Sequence, residues 1–253
     1  MDQQILDQLA ELELPHLREA WDTVVQDATR SKPSYHRFLS QIIDAEYRAR
    51  QERLRLARMK RARITESLVM ETFPFTRQPK LDRRKILDLY DSLRFMTESQ
   101  VLLFIGPTGC GKTGLATAFL LHAINNRYRG RFIDFKDLTG LLYQSLADHS
   151  DRKLIKHFST WDCLLIDELG YSPLDKRLAG LLFHLIKMRH RSSCTIITTQ
   201  LGLSEWPALL GDDHLSAALI DRITENCTVF NMSKCISIRQ KNISQVTKPS
   251  EDA

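Results

Sequence analysis

The residues with the clearest chemistry form a glycine-rich loop, Gly106-Pro-Thr-Gly-Cys-Gly-Lys112-Thr113. The loop fits the pattern G-x-x-x-x-G-K-[ST], and it lies between an apolar run at 101–105 and a helical segment, as this pattern requires. Its glycines let backbone N–H groups converge on phosphate oxygens, and the start of the helix adds favourable electrostatics. The predicted ligand is a nucleotide that carries β- and γ-phosphates. The residues predicted to bind it are Gly106, Pro107, Thr108, Gly109, Cys110, Gly111, Lys112 and Thr113.

Two loop residues and two acids complete a predicted hydrolytic site. Lys112 is expected to reach the β- and γ-phosphates, and the hydroxyl of Thr113 is expected to help hold Mg²⁺. A second apolar run, Cys163-Leu-Leu-Ile, ends in Asp167 and Glu168. We expect Asp167 to bind Mg²⁺ and Glu168 to orient or deprotonate the attacking water. No acceptor-recognition motif accompanies the pair, which favours hydrolysis over phosphoryl transfer to a substrate.

A third apolar run, Thr195-Ile-Ile-Thr-Thr-Gln200, also ends in polar side chains. In a sheet with the phosphate loop at its carboxyl edge, Thr199 and Gln200 would face the γ-phosphate or the attacking water. Thr199 could equally cap the next turn, and the residues alone leave that choice open. For Gln200 the functional interpretation is favoured.

These runs belong to an alternating pattern of strands and helices. Strands are predicted at 101–105, 132–135, 163–166, 195–198 and 228–230, with helices at 111–128, 138–147, 176–191 and 213–225. Buried strands that alternate with helices are typical of a parallel sheet covered on both faces. The predicted fold class is therefore α/β, with a parallel five-stranded sheet inside a core at 98–240.

The region before this core is predicted to be all-helical over residues 1–63. Two short helices should meet near Pro15, and an amphipathic helix should start near Ser34 and continue into an arginine-rich stretch. Residues 64–97 are interpreted as a linker followed by a lead-in helix at 83–96. The polar tail 241–253 is expected to be disordered.

The net charge of +5 is distributed unevenly along the 253 residues. Residues 46–85 carry a net +8, whereas 1–45 carry −4 and 86–253 carry +1. The basic side chains of the densest stretch are Arg48, Arg50, Arg53, Arg55, Arg58, Lys60, Arg61 and Arg63. Only Glu52 opposes them within that stretch, and contact with a polyanion explains such a self-repelling helix better than solvation does. Nucleic acid is therefore the predicted partner.

Further basic residues are weaker candidates for phosphate contacts. Lys176 and Arg177 follow the acidic run, and Arg127, Arg129 and Arg131 precede the second predicted strand. Surface solvation is the simpler explanation for any one of them. No base-reading motif is visible, so binding is expected to be independent of sequence.

Composition excludes several classes of protein. No apolar run reaches about 18 residues, so no membrane span is expected, and the acidic N-terminus does not fit a signal peptide. The five cysteines are an odd number without a CxxC pair, which indicates a reducing cytoplasm rather than a disulfide or zinc scaffold.

Several stretches together resemble the IstB family of AAA+ ATPases. These proteins are encoded beside the transposase of bacterial insertion sequences and are similar to DnaC-type helicase loaders. The stretches are 106–113, 163–174, 195–200 and 219–223, with Phe75-Thr-Arg-Gln-Pro and Glu205-Trp206 in support.

The resemblance implies an AAA+ P-loop NTPase that helps transposition. Such a protein oligomerises on duplex DNA with ATP bound, recruits or stimulates the transposase encoded by the same element, and resets by hydrolysis. Arg222 is at the position of the family's arginine finger, which is donated to the γ-phosphate of the neighbouring subunit.

The chain departs from the family pattern in three places. Gln200 replaces an Asn that is common in relatives, and of a motif near the C-terminus only Arg239 remains. The helical lid domain of fuller AAA+ proteins is expected to be absent or minimal, so hydrolysis is expected to be slow and dependent on oligomer formation.

Three functions remain open at this point. The first is a DNA-dependent ATPase that regulates transposition. The second is a replicative helicase loader of DnaC type, whose N-terminal region binds a helicase. The third is a binding module that uses ATP for assembly and hardly hydrolyses it. The arginine-rich stretch favours the first over the second, and Glu168 argues against the third.

Overall fold

Contacts between residues divide the chain after Lys60, into a first unit of residues 1–60 and a second unit of residues 61–253. The computed structural model of the protein describes residues 3–65, 68–78, 80–170 and 174–238. The predicted tail 241–253 lies outside these residues. Across the described ranges, no helix is both long and apolar enough to cross a membrane.

The first unit is helical throughout its described residues, apart from short connections. Its helices are α1 (Gln3–Glu11), α2 (Pro15–Ser31) and α3 (Tyr35–Ala62), the last of which continues into the second unit. Pro15 lies in the first turn of α2. Backbone N–H groups in a first turn have no partner within the helix, so the missing N–H of proline costs no hydrogen bond there. Lys32 ends α2 in a left-handed conformation, and its N–H donates to the carbonyl of Ala28. The helices predicted for this region are confirmed.

Very little of the first unit is buried. Among its described residues, only Leu9 and Glu46 are buried. The carboxylate of Glu46 accepts hydrogen bonds from the backbone N–H of Leu17 at 2.8 Å and from Arg53 at 3.1 Å. One buried carboxylate therefore ties the start of α2 to the middle of α3.

The second unit is built on one five-stranded parallel sheet. In chain order its strands are β1 (Val101–Ile105), β2 (Gly130–Asp134), β3 (Cys163–Leu169), β4 (Cys194–Thr199) and β5 (Cys227–Asn231). Their spatial order is β2-β3-β4-β1-β5, and every neighbouring pair is parallel. The middle strands are buried almost throughout because both faces of the sheet are covered. The predicted parallel five-stranded α/β sheet is confirmed.

Helices precede the sheet and connect its strands. They are α4 (Arg83–Ser92), α5 (Arg94–Thr97), α6 (Lys112–Asn125), α7 (Phe135–Ala147), α8 (Asp151–Ser159), α9 (Lys176–Arg189), α10 (Trp206–Leu210) and α11 (Asp213–Thr224). The order of the strands puts the carboxyl ends of β3, β4 and β1 side by side. In sheets of this kind, ligands bind beyond the carboxyl ends of the strands.

Several predicted elements differ from the structure, and local features explain some of the differences. The strand predicted at 132–135 runs from Gly130 to Asp134, because the side chain of Asp134 accepts from the N–H of Lys136 and starts α7. The helix predicted at 83–96 is two helices, because Leu93 adopts a positive φ of 53° between them. Helix α8 was not predicted, although Leu154, Ile155 and Phe158 have the spacing of an amphipathic helix.

Candidate functional site

The phosphate loop lies between β1 and α6, and two of its glycines are needed for close approach or for backbone conformation. A Cβ atom on Gly106 would lie 2.8 Å from the backbone of Met232. Gly111 has a φ of 98° and is the residue before the first turn of α6. The first N–H groups of α6 therefore point at the loop, where they can bind an anion.

The lysine of the loop lies against the loop itself. The Nζ of Lys112 donates to the carbonyl of Gly106 at 2.8 Å and to that of Pro107 at 2.9 Å. Only 7% of Lys112 is exposed. Its ammonium group is therefore already placed at the loop whose phosphate ligand it is predicted to contact.

Thr113 and Asp167 meet at the start of α6. The Oγ1 of Thr113 lies 3.1 Å from each carboxylate oxygen of Asp167. Burial raises the pKa of Asp167, and hydrogen bonds from Thr198 and Thr113 oppose that rise. Among the described residues, no group of three His, Cys, Asp or Glu side chains could hold a metal alone. A hydroxyl and one carboxylate fit Mg²⁺, which is usually bound by one or two carboxylates together with substrate phosphates.

Glu168 has an unusual backbone at the end of β3. Its φ is 56°, in the left-handed region, and the pairing of β3 with β4 shifts between Ile166 and Leu169. Such a conformation costs about 1–3 kcal/mol in a residue other than glycine, and it is concentrated at functional sites. The irregularity leaves Asp167 and Leu169 buried and Glu168 exposed.

A cavity of about 380 Å³ joins these groups. The predicted site residues that line it are Thr108, Gly109, Gly111, Lys112, Thr113, Glu168, Thr199 and Gln200. The structure therefore brings together the loop, the exposed acid and the end of β4 around one space. Leu68 and Ile238 also line this space, and sequence reasoning assigned a role to neither.

The two polar residues at the end of β4 differ in what their side chains do. Thr199 is fully buried, and its Oγ1 donates to the carbonyl of Leu169 at 2.7 Å and accepts from the N–H of Leu201 at 3.0 Å. This is the turn-capping alternative for Thr199, since both hydrogen bonds of its hydroxyl go to the backbone. Gln200 is exposed and lines the cavity.

Sequence reasoning missed Thr198, which contacts both acids. Its buried Oγ1 donates to Asp167 Oδ1 at 2.5 Å and accepts from the backbone N–H of Glu168 at 2.9 Å. A polar side chain in the buried middle strand of a sheet needs a partner. That requirement is the signal by which Thr198 could have been found.

Gln78 was also missed, although the stretch Phe75-Thr-Arg-Gln-Pro was noted. Its side-chain amide donates to the carbonyls of Cys110 at 3.1 Å and Ile236 at 2.6 Å, and it accepts from the N–H of Ile236 at 3.1 Å. The N–H of Ile238 donates to the carbonyl of Gly109 at 2.8 Å. The segment before α4 and the segment after β5 are therefore both tied to the phosphate loop.

The family model described as "IstB-like ATP binding protein" matches residues 7–246. The chain belongs to this family. The resemblance predicted from the sequence is thus confirmed, and the protein is an ATP-binding member of the AAA+ class with a P-loop.

Individual relatives agree with this assignment. The chain is 31% identical to an ATP-binding protein of insertion sequence IS5376 from Geobacillus stearothermophilus, over 97% of this chain and 98% of that one. It is 29% identical to an ATP-binding protein of insertion sequence IS21 from Pseudomonas aeruginosa, over 88% of this chain and 84% of that one.

Solved structures show the same fold. The DnaC helicase loader superposes with a TM-score of 0.50 and 26% identity, over 59% of this chain and 86% of that one. DnaI superposes with a TM-score of 0.52 and 17% identity, over 65% of this chain and 95% of that one, and is similar in fold alone.

In this IstB-like chain, Arg222 packs on a neighbouring helix. Its guanidinium carbon lies 4.6 Å from the ring centroid of Phe183 on α9, and its Nη1 donates to the carbonyl of Ala218 at 3.0 Å. Arg222 does not line the cavity of its own chain. Arg239, the other family arginine, lies outside the described residues, as do residues 171–173 of the stretch after Asp167.

The basic residues on α3 of the IstB-like chain surround the helix rather than form one stripe, because each residue turns the helix by about 100°. Arg53 is paired with Glu46 at 3.1 Å, and Arg55 is paired with Glu52 at 2.6 Å. The exposed residues of the predicted basic set are Arg48, Arg50, Arg53, Lys60 and Arg61 on α3, and Arg63 just after the helix.

The basic candidates outside α3 are of two kinds. Arg129 forms an ion pair with Asp162 at 2.7 Å, and the Nη1 of Arg131 donates to the carbonyl of Arg61 at 3.0 Å. The side chains of Arg129 and Arg131 are therefore engaged in contacts within the second unit. Lys176 and Arg177 are exposed in the first turn of α9, as the prediction of phosphate contacts requires.

Proposed function

We propose that this protein is an ATP-hydrolysing, DNA-binding regulator of transposition. It oligomerises on duplex target DNA and recruits or stimulates the transposase encoded by the same element. The observation that carries the proposal is the cavity at the carboxyl end of the sheet, where Lys112, Thr113, Glu168 and Gln200 lie in the lining. The insertion-sequence names of the relatives support the biological setting.

The site residues divide the work of hydrolysis. Lys112 and the loop N–H groups bind the β- and γ-phosphates of ATP, and Thr113 and Asp167 would hold Mg²⁺. When bound there, Mg²⁺ would neutralise charge on the phosphates. The carboxylate of Glu168 accepts a proton from the attacking water, whose oxygen forms a bond to the γ-phosphorus. The bond from that phosphorus to its bridging oxygen breaks, and ADP and phosphate leave. Gln200 donates a hydrogen bond to the γ-phosphate or orients the water.

Arg222 acts on the neighbouring subunit in this proposal. A transferred phosphoryl group needs added positive charge, and an arginine supplied by another subunit couples hydrolysis to assembly. The position of Arg222 outside its own chain's cavity supports this role. We therefore expect a homo-oligomer to be the active form.

The basic residues of α3 supply the contact with DNA. Arg48, Arg50 and Lys60 are exposed on the helix that also carries the paired Arg53 and Arg55. Contacts of this kind bind phosphates and carry no sequence information. Arg58, Arg61, Arg63, Lys176 and Arg177 remain further candidates for contacts with DNA phosphates.

A helicase loader is the second candidate function, because the DnaC helicase loader matches in fold at 26% identity. The two functions differ in partner. Pull-down with the tagged full chain and ATP should retain the transposase encoded beside it and not a replicative helicase. Retention of the helicase alone would decide for the loader.

The decisive experiment on hydrolysis compares the wild type with Glu168→Gln. We expect the wild-type ATPase rate to rise with duplex DNA, and Glu168→Gln to hydrolyse ATP about 10²-fold or more slowly, as loss of a catalytic base requires. ATP binding should be retained, because Glu168 touches water rather than the phosphates. Negligible rates for both proteins with DNA present would instead indicate an assembly switch that binds ATP without hydrolysing it.

A further inference from the structure

Thr198 is a buried hydroxyl between the two acids of the candidate site. It lies on β4, none of it is exposed, and it bonds to Asp167 and to the backbone of Glu168. We propose that Thr198 is a positioning residue, which holds the Asp167 carboxylate toward the metal and keeps the Glu168 side chain in the cavity. The inference rests on the proposed ATPase function and adds to it a residue outside the phosphate loop and the acidic pair.

The direction of the two hydrogen bonds follows from the chemistry of a hydroxyl. A threonine hydroxyl has one proton to donate and lone pairs with which it accepts. Because the N–H of Glu168 can only donate, Thr198 accepts that bond and gives its proton to Asp167. Oδ1 of Asp167 therefore faces two hydroxyls, those of Thr198 at 2.5 Å and Thr113 at 3.1 Å. These contacts fix the rotation of the carboxylate.

The second bond acts on the backbone of Glu168. At the irregularity in β3, the N–H of Glu168 donates to the hydroxyl of Thr198, and Glu168 adopts a φ of 56°. The next residue of β4, Thr199, donates to the carbonyl of Leu169. Two consecutive threonines therefore brace the irregular segment, and the bond from Thr198 is the one that reaches the residue with the strained conformation.

Replacing Thr198 by valine tests this role, because valine keeps the shape and removes both bonds. Loss of a residue that orients a metal ligand reduces metal affinity or activity by about 10–100-fold. We expect Thr198→Val to lower kcat by that factor and to change KM for ATP by less than about threefold. Thr198→Ser keeps the hydroxyl and should restore kcat to within about threefold of wild type.

A second readout does not need turnover. Mn²⁺ stands in for Mg²⁺ and reports its own binding by electron paramagnetic resonance. In the presence of ADP, the affinity of the full chain for Mn²⁺ should fall about tenfold in Thr198→Val and recover in Thr198→Ser. Binding of ADP without metal should be unchanged.

Thr195→Val is the matched control. Thr195 lies on the same strand, is 3% exposed, and its hydroxyl accepts a bond from Arg189 Nε at 3.0 Å. The control also removes a buried hydroxyl, but away from both acids. The midpoint temperature of thermal unfolding, Tm, should fall in both valine variants, whereas kcat and Mn²⁺ affinity should fall in Thr198→Val alone.

The outcomes separate this inference from the proposed function. If the wild type hydrolyses ATP and Thr198→Val keeps wild-type kcat and Mn²⁺ affinity, the positioning role is wrong and the ATPase proposal stands. Failure of Thr198→Ser to restore either quantity also overturns the role of the hydroxyl. If the wild type does not hydrolyse ATP, the proposed function fails, and Mn²⁺ affinity still decides whether Thr198 orients Asp167.

Discussion

The two units of the chain differ in how many of their apolar side chains are buried. In the described part of the first unit, Leu9 is the one buried hydrophobic residue, and α3 exposes Tyr35, Leu39, Ile43 and Tyr47. In the second unit, β1 and β4 are buried almost from end to end. Packing of this density holds side chains in place. The difference teaches that the second unit can preorganise a chemical site, whereas the first offers surface for contact.

The largest expected effect tests this contrast in packing. Phe104 is fully buried in β1, and Phe104→Ala should lower the free energy of unfolding by about 3–5 kcal/mol. Leu39 is 57% exposed, and Leu39→Ala should change it by about 0.5 kcal/mol or less. Urea unfolding of the full chain, followed by tryptophan fluorescence, measures both. A large loss of unfolding free energy in Leu39→Ala would contradict this contrast, because it would show that the first unit has a buried core.

The next effect concerns the ties between the phosphate loop and its flanking segments. Gln78→Ala removes three hydrogen bonds from a residue that is 1% exposed, and it should cost about 1–3 kcal/mol of stability. ATP affinity should also fall, because Gln78 joins the phosphate loop to the segment that bears Ile238, and both contribute residues to the lining of the cavity. Gln144→Ala, at an exposed position of α7, is the control. Unchanged ATP affinity in Gln78→Ala would limit its role to stability.

A smaller effect is expected on the surface of the first unit. Changing Arg48, Arg50 and Lys60 together to Gln should weaken duplex binding by about tenfold at all sequences. The slope of the logarithm of the binding constant against the logarithm of salt concentration should become shallower by about 0.9 for each DNA phosphate that is no longer neutralised. The matched control changes Arg18, Lys32 and Arg37 to Gln, which removes the same charge from the same unit. Equal weakening by both triples would mean that net charge acts, rather than the arginine-rich part of α3.

The smallest effect concerns Asp167, the buried acid in β3. Burial raises the pKa of Asp167, so its ionisation opposes folding, and stability is lost as pH rises from the ordinary aspartate pKa through the raised one. Asp167→Asn removes that opposition. Without metal, its Tm should exceed that of wild type at pH 7, and the difference should shrink as pH falls below the ordinary aspartate pKa. A constant difference across this range would assign the effect to packing.

Local motifs allowed much of the site to be predicted. The phosphate loop needs only its own glycines and the start of α6, and Asp167 and Glu168 end a run that is apolar in any context. Other elements were predicted less well: α8 was missed although Leu154, Ile155 and Phe158 have helical spacing, and the break at Leu93 depends on a single backbone angle. For Thr199, two interpretations were equally consistent with the residues, and its bonds to Leu169 and Leu201 give its hydroxyl a capping role.

The sequence by itself determined the class of fold, the kind of ligand and the residues of the phosphate loop, because these depend on spacing along the chain. Only the tertiary structure decided that Thr198 joins both acids and that Gln78 ties the loop to Ile236. The separations of 30 and 31 residues for Thr198, and of 158 for Gln78 and Ile236, leave no local pattern. Such contacts arise because parallel strands and flanking segments converge at one edge of the sheet, and every buried polar group there must find a partner.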